Sequence, residues 1–241
     1  MSHVLTTDGA WFKDALGRTL LLRGVNVSGL SKVPRSPDGA THQPQSLDHP
    51  ESVSFVGRPF PLADADEHFR RLRAFGLTFL RFVITWEAVE HEGPGLYDRA
   101  YLDYLYEVVR RAHQHGLLVY IDPHQDVWSR FTGGDGAPAW TLTAVGFDLA
   151  KLTLPTTGAT FLHQRSAERP LQGIIWPTNY TKLGAATMFT VFFAGDDFAP
   201  RCRVGDESVQ KFLQRHYCAA MAAVARRLAD LPNVVGYGTM N

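Results

Sequence analysis

The sequence predicts an α/β protein with parallel strands, and three observations predict it. Stretches with helical spacing of apolar residues, near 64–76, 98–115 and 207–228, alternate with short apolar runs at Phe79–Ile84, Leu117–Ile121 and Val234–Tyr237. Such alternation builds right-handed βαβ units. The runs are continuous and apolar, as in parallel strands covered on both faces. Polar residues follow each run: Thr85-Trp86-Glu87, Asp122-Pro123-His124-Gln125-Asp126 and Thr239-Met240-Asn241. In a (β/α)8 barrel that rim carries the active site in nearly every enzyme of the fold. The alternation alone does not separate a barrel from an open doubly wound sheet.

Taken in order, the chain opens as a hairpin, Val4–Phe12 and Thr19–Asn26 flanking a turn at Lys13–Gly17. The second arm, Leu20–Asn26, is apolar enough for a buried strand. Residues 33–62, rich in Pro, Ser, Gly and His without a period, read as a long surface loop. A helix begins at Asp64, with Phe69, Leu72 and Phe75 on one face and Gly76 as its stop. A second runs from about Asp98 to His115, turning Leu102, Leu105, Val109 and Ala112 inward, with Gly116 at its end. The stretch from Pro123 to about Val204 is an insertion rich in Gly, Pro, Thr and Trp, with one helical candidate at Leu183–Phe193. An amphipathic helix covers Glu207–Leu228, its core face including Val209, Phe212, Leu213, Ala220, Met221, Val224 and Leu228. No short repeat and no second domain is visible, so residues 1–241 read as one unit.

Composition excludes several classes. Hydrophobic residues make up 45% and charged residues 20%, as in ordinary globular proteins. Twenty-four basic residues balance 24 acidic ones, which leaves no electrostatic footprint for nucleic acid or an anionic membrane. No apolar run approaches the ~18 residues of a membrane span. Met1–Asp8 has neither a basic patch nor an apolar core, so no secretory signal is expected. Cys202 and Cys218 match no metal or redox spacing and suit a reducing compartment. The expected location is cytoplasmic.

Arg81 is the most telling single residue. A guanidinium in an apolar strand keeps its proton, and burying it unpaired is costly. It is either in a structural ion pair with Glu87 or Asp122, or a donor that keeps a catalytic carboxylate ionised. His124, just past a strand end, is either a hydrogen-bonded structural residue or, with Gln125 and Asp126 beside it, part of a site. A metal is the competing chemistry, held by His124, Asp122 and Asp126 or by His113 and His115. The latter two diverge on a helix, and no HxHxD cluster is present, so no metal is expected. Trp128, Phe131, Trp140, Phe147, Phe161 and Trp176 either pack the insertion's own core or offer a platform to a sugar or an apolar aglycone. Gly133–Gly136 reads as a flexible turn and not a phosphate loop.

These residues resemble glycoside hydrolase family 5. The resemblance is carried by Leu22–Asn26, by Leu80-Arg81-Phe82 with Trp86 and Glu87, by Asp122–Asp126 and by Gly236–Asn241. More narrowly, Asp122–Arg130, Gly133–Pro138 and Ile175–Tyr180 resemble the fungal branch related to endoglycoceramidases, which contains β-glucosylceramidases and steryl-β-glucosidases. The resemblance implies a (β/α)8 barrel of which this chain supplies strands one to four, the N-terminal portion of one catalytic domain. It implies retaining hydrolysis of a β-glucosidic bond by two glutamates, without a cofactor. Both glutamates would follow Asn241, so the chain alone is expected to be an inactive fragment. Three residues carry over as supports: Arg81 for the nucleophile, His124 for the terminal sugar, and Asn241 for its 2-hydroxyl. By looser analogy Lys32, Asp126 and Trp176 would contact other glucose hydroxyls. The implied partner is a glucosylated lipid, reached by transient contact with a lipid surface. Two alternatives are a non-catalytic half barrel and a carbohydrate- or lipid-binding protein of the same fold. A metal-dependent hydrolase is more distant.

Overall fold

The computed structural model describes residues 5–39, 46–162 and 175–241. Its strands are β1 (Thr6–Asp8), β2 (Trp11–Lys13), β3 (Thr19–Leu20), β4 (Gly24–Val27), β5 (Phe79–Ile84), β6 (Leu118–Pro123), β7 (Arg203–Val204), β8 (Glu207–Ser208) and β9 (Val234–Tyr237). Its helices are α1 (Ala65–Ala74), α2 (Trp86–Glu90), α3 (Arg99–Gln114), α4 (Trp140–Val145), α5 (Leu149–Leu152), α6 (Leu183–Phe198) and α7 (Val209–Arg227). Val4 of the expected hairpin, 40–45 of the expected loop and 163–174 of the insertion lie outside the described residues.

The main sheet is parallel, ordered β4-β5-β6-β9, with helices in each crossover. Its register sets Asn26, Arg81, Tyr120 and Gly236 in one row across the strands. One face is closed by helices: Leu80, Phe82, Ile84, Val119 and Ile121 are at most 1% exposed. The other face is half open at Asn26, Phe79, Arg81 and Tyr120. The expectation of strands covered on both faces therefore holds on one side. Continuous apolar sequence comes from large side chains on the closed face and mixed ones on the open face.

The opening departs from the expected hairpin. β1, β2 and β3 form a three-stranded antiparallel meander, because a second turn at Gly9-Ala10 splits the first arm. Asp14 fixes the next turn by accepting from the Leu16 and Arg18 amides at 2.9 Å. The second arm breaks after Leu20, and its remainder joins the main sheet as β4. It is not a buried strand: Leu21 is 68% exposed and only Val27 of β4 is buried. As an edge strand, β4 has one neighbour to cover it. The segment 33–62 is more than a surface loop, since Ser46, Val53 and Phe55 are buried and Phe55 meets Tyr101 edge to face at 6.2 Å. In α1, Phe69 is buried but Phe75, past the last helical residue, is exposed.

α3 begins where Asp98 accepts from the Tyr101 amide at 2.8 Å, and its predicted apolar face is buried throughout. α7 starts two residues later than expected, because Glu207 and Ser208 pair with β7. α6 runs past Phe193 to Phe198, with non-helical geometry at Ala194. The unexpected α2, α4 and α5 span 4–6 residues, too short to show a period. Edge-to-face contacts among Trp86, Trp128, Trp140, Phe192 and Tyr217 join α2, the insertion and α7 into one core. Of the insertion's aromatics, Trp128, Phe131, Trp140 and Phe147 pack inward, whereas Phe161 and Trp176 are 42% exposed.

Candidate active site

Strand ends bring the polar residues together. On the open face of β5, Arg81 lies two residues before Val83, the register partner of Asp122 on β6. A guanidinium reaches across that offset, and Arg81 Nη2 lies 2.7 Å from Asp122 Oδ2. Arg81 Nη1 makes a long contact of 3.5 Å to Asn26 Oδ1 on β4. Of the two carboxylates expected for Arg81, it takes Asp122. Glu87 belongs to Arg130 instead, through Nε–Oε2 at 2.8 Å and Nη2–Oε1 at 2.6 Å, and Arg130 also donates to the Ser46 carbonyl.

His124 follows β6 and is held by its amide, which donates to the Ile84 carbonyl at 2.8 Å. Its ring spans two acids: Nδ1 lies 3.5 Å from Asp122 Oδ2, and Nε2 is 3.2 Å from Asp126 Oδ2. The same Asp126 oxygen accepts from Lys32, which stands on a single 3-10 turn after β4. Burial pushes the Asp126 carboxyl up, but hydrogen bonds with His124 and Lys32 and the lysine charge outweigh it and hold it well below the usual range. Arg81, His124, Lys32 and Asp126 thus form one connected set around Asp122.

Asn241 sits at the same end. Its amide donates to the Pro123 carbonyl at 3.0 Å, and its own carbonyl accepts from Gln125 Nε2 at 2.8 Å. Trp176 stands apart from this set; it meets Tyr180 at 6.2 Å, and stacked rings continue to Phe189 and Phe193. A groove of about 400 Å³ lies between those phenylalanines, Tyr217, Met240 and Asn241. Trp176 is therefore connected to the strand ends through aromatic side chains.

The loop after β6 is strained and braced. Val127 and Trp128 have φ of 46° and 80°, where non-glycine residues cost about 1–3 kcal/mol each. Bracing comes from the glycine-rich segment, whose composition alone suggests a flexible turn. Asp126 and Asp135 exchange backbone hydrogen bonds at 3.1 and 3.0 Å, and the Ala137 amide donates to the Trp128 carbonyl at 2.6 Å. A Cβ at Gly134 would lie 1.9 Å from the Asp126 carbonyl oxygen, and one at Gly136 2.4 Å from Gln125 Cβ. Only glycine permits that approach. Asp135 is the member sequence reasoning missed; it announced itself only as the acid inside a glycine run. His124, Asp126 and Asp135 offer ligand atoms within 4.8 Å of one another. The Lys32 ammonium lies against both carboxylates, directly on Asp126 and 3.7 Å from Asp135, so a cation already holds that position.

A parallel βα sheet with its charged set beyond the carboxyl ends of the strands defines the class of protein, one whose chemistry sits at the strand rim. Residues 39–149 match the cellulase family, glycosyl hydrolase family 5. The chain is 50% identical over 239 residues to a glucosylceramidase of Rhizopus delemar, covering 97% of this chain and 34% of that protein. It is 39% identical to an ergosteryl-beta-glucosidase of Saccharomyces cerevisiae, covering 98% of this chain and 34% of that one. A solved structure of Cryptococcus neoformans sterylglucosidase 1 superposes with a TM-score of 0.93 at 42% identity, covering all of this chain and 35% of that one. The chain is thus similar to glycosyl hydrolase family 5 over residues 39–149 and to these fungal enzymes over nearly its whole length. It spans about a third of the length of the curated relatives it matches.

Proposed function

We propose that the whole protein is a retaining β-glucosidase of a glucosylated lipid, a steryl β-glucoside or glucosylceramide, and that this chain supplies the sugar-gripping side of its site. One observation carries the reading: Arg81, Asp122, His124, Asp126 and Lys32 form one contacting set at the strand ends. The names of the relatives support the substrate class. In this reading the complete fold is a (β/α)8 barrel whose first four strands are β4, β5, β6 and β9, and both catalytic glutamates follow Asn241.

Each residue then has a task. Arg81 uses one donor on Asp122 and stays 29% exposed. Its remaining donors face the open side of the sheet, where a second carboxylate would be held ionised as nucleophile. His124 is oriented by the Asp126 contact at Nε2, with Asp122 beside Nδ1 at ion-pair distance. Asn241, anchored by its backbone, is free to meet the 2-hydroxyl, a contact that strengthens in an oxocarbenium-like transition state. Lys32 and Asp126 offer a donor and an acceptor side by side, which suits two neighbouring hydroxyls of a pyranose. The groove toward Phe189 and Phe193, with Trp176 at its aromatic fringe, takes the apolar aglycone. Among the described residues no helix is long and apolar enough to cross a membrane, and the lipid is met by transient surface contact. Two free cysteines support a cytoplasmic setting.

The test is the full-length protein assayed on glucosylceramide and a steryl glucoside. Release of glucose with retained β-configuration is expected; absence of turnover on both lipids and on a soluble aryl β-glucoside overturns the reading. The 241-residue chain alone is expected to show none.

A further inference from the structure

We propose that Asp135 is a positioning residue that sets Lys32 and Asp126 as a fixed donor–acceptor pair for the sugar. The inference deepens the function proposed above and rests on it. Asp135 touches neither the open face nor the groove. It is 4% exposed and backs onto Asp126, to which it is joined by two backbone hydrogen bonds. The close approach of Gly134 and Gly136 keeps that backing in a single register. From there Asp135 faces the two side chains that read the sugar: its Oδ2 is 3.7 Å from Lys32 Nζ, and its carboxyl has an oxygen within 4.8 Å of an Asp126 carboxylate oxygen.

Two carboxyl groups in one buried pocket hold one proton more favourably than none. Among the described residues the buried Asp135 Oδ1 has no hydrogen-bond partner, a lack that costs an ionised carboxylate more than a neutral carboxylic acid. Burial above all, aided by the nearby Asp126 and Glu87 charges and opposed by Lys32, pushes the Asp135 carboxyl well above its ordinary range. As the acid, Asp135 donates to Asp126. The trio then carries one negative and one positive charge, and Lys32 leans on Asp126 rather than being drawn midway between two anions. Asp126 keeps its place with one oxygen on Lys32 and His124.

The experiment uses the full-length protein with Asp135→Asn, Asp135→Ala and Asp135→Glu. Hydrolysis of 4-nitrophenyl β-glucoside, calorimetric binding of isofagomine and the unfolding temperature are read for each. An amide remains a neutral donor, so Asp135→Asn is expected within about threefold of wild type in kcat/KM. Asp135→Ala is expected to lose about 10- to 100-fold, mostly in KM and with a parallel loss of isofagomine affinity. Asp135→Glu, longer and negatively charged, is expected to lose as much. An alanine variant that matches wild type, or an asparagine variant as poor as alanine, overturns the proposal. Should the alanine variant not fold, glutamate outperforming asparagine overturns it, and the reverse order supports it. A wild-type protein that neither cleaves the glucoside nor binds isofagomine sinks the functional reading itself; a competent wild type with an indifferent alanine variant sinks only the role of Asp135.

Discussion

Arg130 and Arg81 both meet carboxylates, and they do so in opposite ways. Arg130 is 1% exposed, grips Glu87 with two parallel hydrogen bonds and spends a third donor on the Ser46 carbonyl. Arg81 has one close ion pair, to Asp122, a long contact to Asn26 and nearly a third of its side chain open. A guanidinium carries five donors. Arg130 directs its donor atoms at groups within the fold, tying α2 to the insertion and to the segment at 46. Arg81 leaves donors facing the open side of the sheet. A satisfied arginine holds structure, whereas an unsatisfied one at a strand rim waits for something to bind.

That contrast breaks most readily at Arg130. Glu87→Gln in the full-length protein leaves a buried guanidinium uncompensated and is expected to cost about 3–5 kcal/mol, read by chemical denaturation. A loss under about 1 kcal/mol would put the two arginines on the same footing. At Arg81, replacement by methionine is expected to lower kcat/KM by about 10²- to 10³-fold while costing less than half as much stability as Glu87→Gln. A stability loss equal to that of Glu87→Gln would make Arg81 structural as well. On the groove, Phe193→Asp is expected to raise KM for the lipid glucoside about tenfold and leave a soluble aryl glucoside unchanged, read by paired kinetics. Equal effects on both substrates would remove the groove from aglycone binding.

The smallest effect concerns a surface pair. Arg110 above all, then Arg111, hydrogen-bond Glu107 and outweigh partial burial, lowering its carboxyl to about 2. Since the folded value lies below the unfolded one of 4.5, the pair's stabilisation is complete above pH 4.5 and disappears as pH falls toward 2. Solvent screening keeps it under about 1 kcal/mol. Denaturation midpoints between pH 5 and 3 are expected to fall slightly less in Glu107→Gln than in wild type.

Legibility in the sequence followed length and regularity. β5 and β9 match the predicted bounds, and α3 lies within one residue of them, because apolar runs of six and four residues and a four-turn stripe leave a clear pattern. Arg81 and His124 were visible as charges where apolar sequence should continue or stop. The partner of Arg81 was not, since Asp122 and Glu87 both lie within reach in sequence and only the register decides between them. Asp135 was hidden for another reason: its neighbours are glycines, whose purpose is a close backbone approach that composition reports as flexibility. α2, α4 and α5 were invisible because one turn of helix has no period to detect.

The tight seating of 133–136 against 125–128 also decides where this scaffold can be re-tailored. A methyl at 134 or 136 would strike the atoms of residues 125 and 126, so saturation mutagenesis there yields chains that fail to fold rather than enzymes with new tastes. Leu183 and Phe193 on α6 are 62% and 59% exposed and accept exchange without such collisions. Diversification of the groove would therefore target α6 and leave the glycine run untouched.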